Sequence, residues 1–284
     1  MKIPKYWMRH EGDVQKPDGG ELHLFAWGWS ENSSSDAARR ARERFQSLEQ
    51  RVSKGLDLPK GYGYGSRPVR EQILREIQSR SGDVDALLTR NAYGSVVLNA
   101  ARAMFIDVDA PPPSSGAAAG IAKLFGFGGG AKAADAALDQ LRRALSSANV
   151  GSVRLYRTAS GFRLLATERV FTPASGDAES VMRTVGADPS FVQLCKVQDS
   201  FRARLTPKPW RVGQTAPPVE FPRETPSQEA AFSDWLQKYE RAAGSKATCR
   251  FIETIGGVSI HPDVAPILRL HDEQTKADSS LPLA

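Results

Sequence analysis

Two aspartates lie two residues apart at the end of the apolar run Ala103-Met104-Phe105-Ile106-Asp107-Val108-Asp109. An extended chain alternates its side chains, so Asp107 and Asp109 point to one face, with Cα atoms about 6 to 7 Å apart. Like charges on one face repel unless something positive joins them: a hard divalent cation, or a group of Arg and Lys side chains. A strand-borne Asp-x-Asp suits Mg²⁺ or Mn²⁺, because both carboxylates reach the metal without moving the backbone, while phosphate oxygens and water complete its shell. Phosphate charge calls for cations beyond the metal. Arg163, Arg202, Arg204, Lys208 and Arg211 can supply them, arginine offering a forked donor that grips oxygens in pairs. Asp107 and Asp109 are thus the candidate metal ligands and, with Arg163, the candidate catalytic set. Arg202, Arg204, Lys208 and Arg211 are the candidate phosphate binders.

The same arginines could neutralise the aspartates directly. The two readings differ in one geometric respect. Direct carboxylate-to-guanidinium contact from Asp107 and Asp109 to Arg163, Arg202 or Arg204 favours a structural pairing, and an open pocket between them favours a site.

Several elements must position these residues. Glu21 to Trp29 alternates as a strand, and Ser33-Ser34-Ser35-Asp36 caps a helix with Ala38, Ala41, Phe45, Leu48 and Val52 at helical spacing. The turn Gly61-Tyr62-Gly63-Tyr64-Gly65 leads to Ser66-Arg67-Pro68, which predicts a second helix through Val69, Ile73 and Ile77. Strand-like runs follow at Tyr93 to Asn99 and Met104 to Asp109. Residues 110–132 are dominated by Gly, Ala and Pro and read as a flexible excursion, with Ile121, Leu124, Phe125 and Phe127 as its apolar patch. Ala134, Leu138, Leu141, Leu145 and Ala148 mark a helix. Val153 to Thr158 and Phe162 to Glu168 form a hairpin about Ala159-Ser160-Gly161.

Short helices are expected over Ala178 to Val185 and Pro189 to Val197, then a strand at Phe201 to Thr206 that puts Arg202 and Arg204 on one face. A Pro-rich linker reaches Pro226, and Thr225 with Gln228 resembles a capping box for a helix carrying Phe232, Trp235, Leu236 and Tyr239. A strand near Thr248 to Ile255 precedes a polar tail at 273–284. These elements predict a single α+β domain over 1–284, with a mixed or antiparallel sheet packed against helices.

Composition narrows the partners. Lys and Arg number 38 against 32 Asp and Glu, so the chain carries +6 at neutral pH, which favours anionic partners such as nucleotide or nucleic acid. No apolar run approaches the ~18 residues of a membrane span, so no membrane partner is expected. Cys195 and Cys249 are far apart without metal-ligand spacing, consistent with a reduced, cytoplasmic setting. His10, His23, His261 and His271 form no ligand pair, Ser160 has no triad partners, and Gly126 to Gly130 lacks the Lys-Ser/Thr ending of a phosphate loop. Of the tryptophans, Trp210 stands out because it sits among basic residues, where a base could stack. Glu168, Glu253 and Asp199 are the candidates for a third acid.

Phe105-Ile106-Asp107-Val108-Asp109 followed by Ser160-Gly161-Phe162-Arg163 resembles the first two motifs of the archaeo-eukaryotic primase-polymerase superfamily. The resemblance implies a divalent metal on the Asp-x-Asp, an RRM-like sheet, and nucleotide phosphate at the second motif. There the family places histidine and this chain has Arg163. The stretches YGYGSRPVRE, TRNAYGSVVLNAA, YRTASGFRLLATE and FRARLTPKPWR are also similar to those of bacterial proteins without assigned function. The resulting expectation is a metal-dependent nucleotide-handling enzyme of nucleotidyltransferase type. The alternative is a catalytically inactive protein that binds nucleotide or nucleic acid through the same basic face.

Overall fold

The computed structural model describes residues 1–58, 67–79, 81–109 and 131–284, the last with side chains from residue 135 onward. The Gly-Tyr turn with Tyr62 and Tyr64, the 110–130 part of the excursion with its apolar patch, and Gly126 to Gly130 lie outside the described residues. Residues 131–132 begin a helix.

An N-terminal hairpin pairs β1 (Tyr6–Gln15) with β2 (Glu21–Ser30), and helix α1 (Ser34–Ser53) lies across it. The Ser33 hydroxyl accepts from the Asp36 amide, as the serine run predicts. Leu24, Ala26 and Gly28 of β2 face α1, whose Ala37, Ala41, Phe45 and Val52 are buried. Gly28 allows the closest approach: a Cβ there would lie 2.0 Å from the Ala37 carbonyl oxygen. The opposite face of β2 carries Phe25, Trp27 and Trp29.

Two four-stranded sheets form the rest. The first has the order β3 (Gln72–Gln78), β4 (Val84–Arg90), β5 (Val96–Ala100), β9 (Phe201–Arg204), and the second β10 (Cys249–Ile255), β7 (Val153–Thr158), β8 (Gly161–Ala166), β6 (Phe105–Asp109). All their ladders are antiparallel, and the α+β class is as expected. β6, helix α2 (Ala131–Ser147), the β7–β8 hairpin, helices α3 (Gly176–Thr184) and α4 (Pro189–Gln198), and β9 follow one another in the β-α-β-β-α-β connectivity of an RRM-like core. β9 runs beside β6 but takes its ladder hydrogen bonds from β5, so it joins the two sheets.

Apolar residues on one face of the second sheet, among them Ile106, Leu155, Phe162 and Leu164, pack against Leu141 and Leu145 of α2, Val181 and Met182 of α3, and Val192 of α4. A second cluster joins Leu88, Leu98 and Ala203 of the first sheet to Phe105, Tyr156 and Leu165 of the second, with Ile267 and Leu268 of helix α6 (Ala265–Thr275).

The segment expected as a helix through Val69, Ile73 and Ile77 is instead strand β3. Spacing by four keeps residues on one face of a helix, and it does the same on a strand. Pairing with β4, through bulges after Ile73 and Ile77, decides for the strand.

The Pro-rich stretch packs down rather than linking. Helix α5 (Pro226–Ala243) opens with the Thr225–Gln228 capping box. Its Trp235 indole donates to the Thr215 carbonyl at 3.0 Å, and its Tyr239 hydroxyl donates to the Pro207 carbonyl at 2.6 Å. A single 3₁₀ turn, Pro209–Val212, lies beneath it. Residues 276–284 return from α6, and Ala284 hydrogen-bonds through its amide to the Ala247 carbonyl.

Candidate functional site

In the β6–β8 ladder Asp107 stands opposite Arg163, and Asp109 opposite Gly161. The Arg163 side chain is 1% exposed, whereas the Asp107 carboxylate is 36% exposed. Nε of Arg163 donates to one Asp107 oxygen at 2.7 Å and Nη2 to the other at 3.0 Å, a bidentate clamp. Nη1 donates to the Arg204 carbonyl at 2.7 Å, across β6. Burial opposes the Arg163 charge, yet the Asp107 charge and hydrogen bonds leave its pKa raised. Arg163 is therefore a buried tie between β8, β6 and β9, with its donors directed into the protein.

Behind Arg163 lies His271 of α6, wholly buried, with Nε2 3.5 Å from Arg163 Nη1 and Nδ1 2.9 Å from Asp272 Oδ1. Burial pushes the His271 pKa down to about 4, so the ring is neutral at physiological pH, with Nδ1–H donating to Asp272. The Tyr156 hydroxyl donates to the same Asp272 oxygen at 2.7 Å, and Arg154 donates to the other at 2.8 Å.

Arg202 and Arg204 share a face of β9, but their surroundings differ. Arg202 donates at 2.6 Å to Asn99 Oδ1 and at 2.6 Å to Glu71 Oε1. Thr89 bonds to the other Glu71 oxygen and accepts from Asn99 at 2.9 Å. Its charge is thus answered inside the protein. Arg204 makes no ion pair among the described residues, and its Nε is buried without a hydrogen-bond partner. Burial and the neighbouring Arg163 charge lower its pKa to about 10. Lys208 and Arg211 likewise form no ion pair among the described residues. Burial first, then the Arg204 and Arg211 charges, lower the Lys208 pKa, and burial lowers that of Arg211. Asp109 opposes both shifts, so this acid borders the cationic cluster.

No family model, curated protein or solved structure matches this chain.

Asp107, Arg202 and Arg204 form part of the floor of a cavity of about 1000 Å³. The outward face of the N-terminal hairpin makes one wall, and Phe191 and Leu194 of α4 contribute another. Tyr93 lies at its edge, 43% exposed, and meets the 51% exposed Trp210 edge to face at 5.2 Å. Lys208 Nζ stands 5.3 Å from the Trp210 ring centre, which places that aromatic beside the cationic cluster, as its sequence position suggests.

Of the candidate residues, Arg204, Lys208 and Arg211 come together with Asp109 beside them. Asp107 and Arg163 pair with each other, and Arg202 pairs with Glu71. The three candidates for a third acid lie elsewhere. Glu168 accepts from the Ser152 amide and hydroxyl, Glu253 pairs with Arg142, and Asp199 caps α4 near the N-terminal amine. Among the described residues no group of three or more His, Cys, Asp or Glu side chains could hold a metal ion. Sequence reasoning missed Glu71, Thr89, Asn99, Asp272 and Tyr93 as parts of this region. A signal existed for Asn99, a buried amide in the otherwise apolar Val96-Val97-Leu98-Asn99-Ala100.

Proposed function

We propose that the protein binds the phosphates of a nucleotide over Arg204, Lys208 and Arg211, with Tyr93 and Trp210 available to its base. One observation carries this reading: Arg204, Lys208 and Arg211 cluster without ion-paired carboxylates among the described residues, and Arg204, partly buried with an unbonded Nε, lines a large cavity. A partly desolvated guanidinium without a direct ion pair is unfavourable in the free protein. An arriving phosphate group supplies the missing charge, and Arg204 binds it at low local dielectric, where the attraction is strongest. Exposed rings beside the cluster add a stacking surface. The test is the melting temperature with ATP at low salt. Binding to the folded state raises it, and Lys208→Ala with Arg211→Ala removes the rise. An unshifted wild type at millimolar ATP sinks the reading.

A metal-dependent nucleotidyltransferase is the second reading, favoured by Asp109 beside the cationic cluster. Each Asp107 oxygen accepts one bond from Arg163, which leaves a lone pair on each. With Asp109, these fit a Mg²⁺ or Mn²⁺ of the kind held by two carboxylates, waters and substrate phosphates. Such an ion supplies alignment of the attacking hydroxyl and stabilisation of charge on the phosphate. Arg163 then holds Asp107 in place, and Arg204 with Lys208 holds the phosphate. Under this reading Mg²⁺ tightens ATP binding, and Asp109→Asn abolishes the tightening. Identical affinities with Mg²⁺ and with EDTA count against it.

A further inference from the structure

The N-terminal hairpin lies outside the Asp-x-Asp region, yet its outward face forms a wall of the same cavity. β1–β2 register sets Trp7 opposite Trp29 and Arg9 opposite Trp27, with Phe25 next along β2. Trp7 and Trp29 stand 5.4 Å apart between ring centres. Arg70 lies 4.3 Å above the Trp27 ring, and Arg9 lies 5.3 Å from that of Phe25. Phe25 is 54% exposed. The inward face of the hairpin is sealed by α1 through Gly28, so the aromatic wall is backed by a helix whose own face is buried.

We infer that this hairpin face receives bases of a single-stranded nucleic acid whose phosphates lie over Arg204 and Lys208. The inference rests on the nucleotide reading and extends it from one nucleotide to several. Three features point to a polynucleotide. First, the cavity lies at the top of the usual range for a small-molecule pocket. Second, aromatic surface occurs at two separate elements of the lining, Trp27 and Phe25 on the hairpin and Tyr93, which meets Trp210, so more than one base can be received. Third, the planar surfaces on the wall are rings and guanidinium planes, on which unpaired bases stack irrespective of sequence. A duplex keeps its bases stacked inside and has no faces to offer.

The experiment measures fluorescence anisotropy of labelled oligothymidylates and oligouridylates, from dinucleotide to decanucleotide, beside ATP binding by calorimetry. Expected is a decanucleotide affinity at least about tenfold above that of the dinucleotide, from stacking on the wall. Phe25→Ala and Trp27→Ala each lower decanucleotide affinity by roughly tenfold and leave ATP affinity unchanged. Phe25 is exposed enough that its variant keeps the fold. The tighter of the two series names DNA or RNA as the source. Equal affinity at all lengths, or hairpin variants that bind the decanucleotide like wild type, overturns the inference while ATP binding persists. Absence of both ATP and oligonucleotide binding overturns it together with the reading it rests on.

Discussion

Arg163 and Asp107 face each other across the β6–β8 ladder, and the buried guanidinium holds both oxygens of the half-exposed carboxylate, at 2.7 and 3.0 Å. Arg163 therefore acts on Asp107, and Arg204, Lys208 and Arg211 are cations without ion pairs among the described residues.

This pairing predicts unequal behaviour of the two aspartates. Asp107→Ala leaves Arg163 charged and buried without its partner, and destabilises the protein by about 3 kcal/mol. Asp109 has no such partner among the described residues, and Asp109→Asn leaves the urea midpoint where it was. Equal midpoints for the two variants contradict the clamp.

His271 predicts a pH dependence. Its folded-state pKa of about 4 lies below the ordinary 6.5, so the unfolded chain binds the proton more readily. Stability from the neutral ring is complete above pH 6.5 and is lost progressively as pH falls toward 4, on the order of 3 kcal/mol in all. Comparison of urea midpoints at pH 7 and pH 5 checks this. His271→Phe should flatten the dependence, and a variant as pH-sensitive as wild type contradicts it.

The Glu71–Arg202 pair predicts strong coupling. Glu71→Gln leaves the Arg202 charge buried, at a cost of about 3 kcal/mol. Combining it with Arg202→Met restores part of that loss, because the uncompensated charge is gone. A double mutant that falls as far as the sum of the two singles shows that the pair is not coupled.

Gly28 couples the aromatic wall to α1. A Cβ there would come within 2.0 Å of the Ala37 carbonyl oxygen and 2.3 Å of the Ala41 nitrogen. Gly28→Ala forces helix and hairpin apart and costs about 2 kcal/mol or more. An unchanged melting temperature contradicts this packing.

Periodicity revealed the elements whose pattern was local. α1, the β7–β8 hairpin, β9 and the capped α5 have their signals within a few residues. β3 was misread because Ile73 and Ile77 suit either structure, and β4, which decides, was not itself recognised. β1 and α6 also escaped notice. β1 alternates only weakly, with Glu11 and Asp13 exposed toward the turn. α6 begins at Val264 without a side-chain cap. The candidate site was legible as a set of residues but not as a set of partners. Arg202 and Arg204 look equivalent along β9, and only the arrival of Glu71, just before β3, and of Asn99 from β5 separates them. Those contacts span 131 and 103 residues of chain, a distance over which local patterning carries no information.

Arg204 provides the most direct measurement. It is partly buried, with no ion-pair partner among the described residues and a buried, unbonded Nε, an arrangement that favours a ligand at the expense of the free protein. In Arg204→Met, the melting temperature without ligand and the ATP affinity by calorimetry are measured together. The predicted result is a melting temperature equal to or above wild type, with ATP affinity reduced at least about tenfold, the loss of one charged hydrogen-bond donor set. A variant that melts lower and binds ATP as well as wild type contradicts the account.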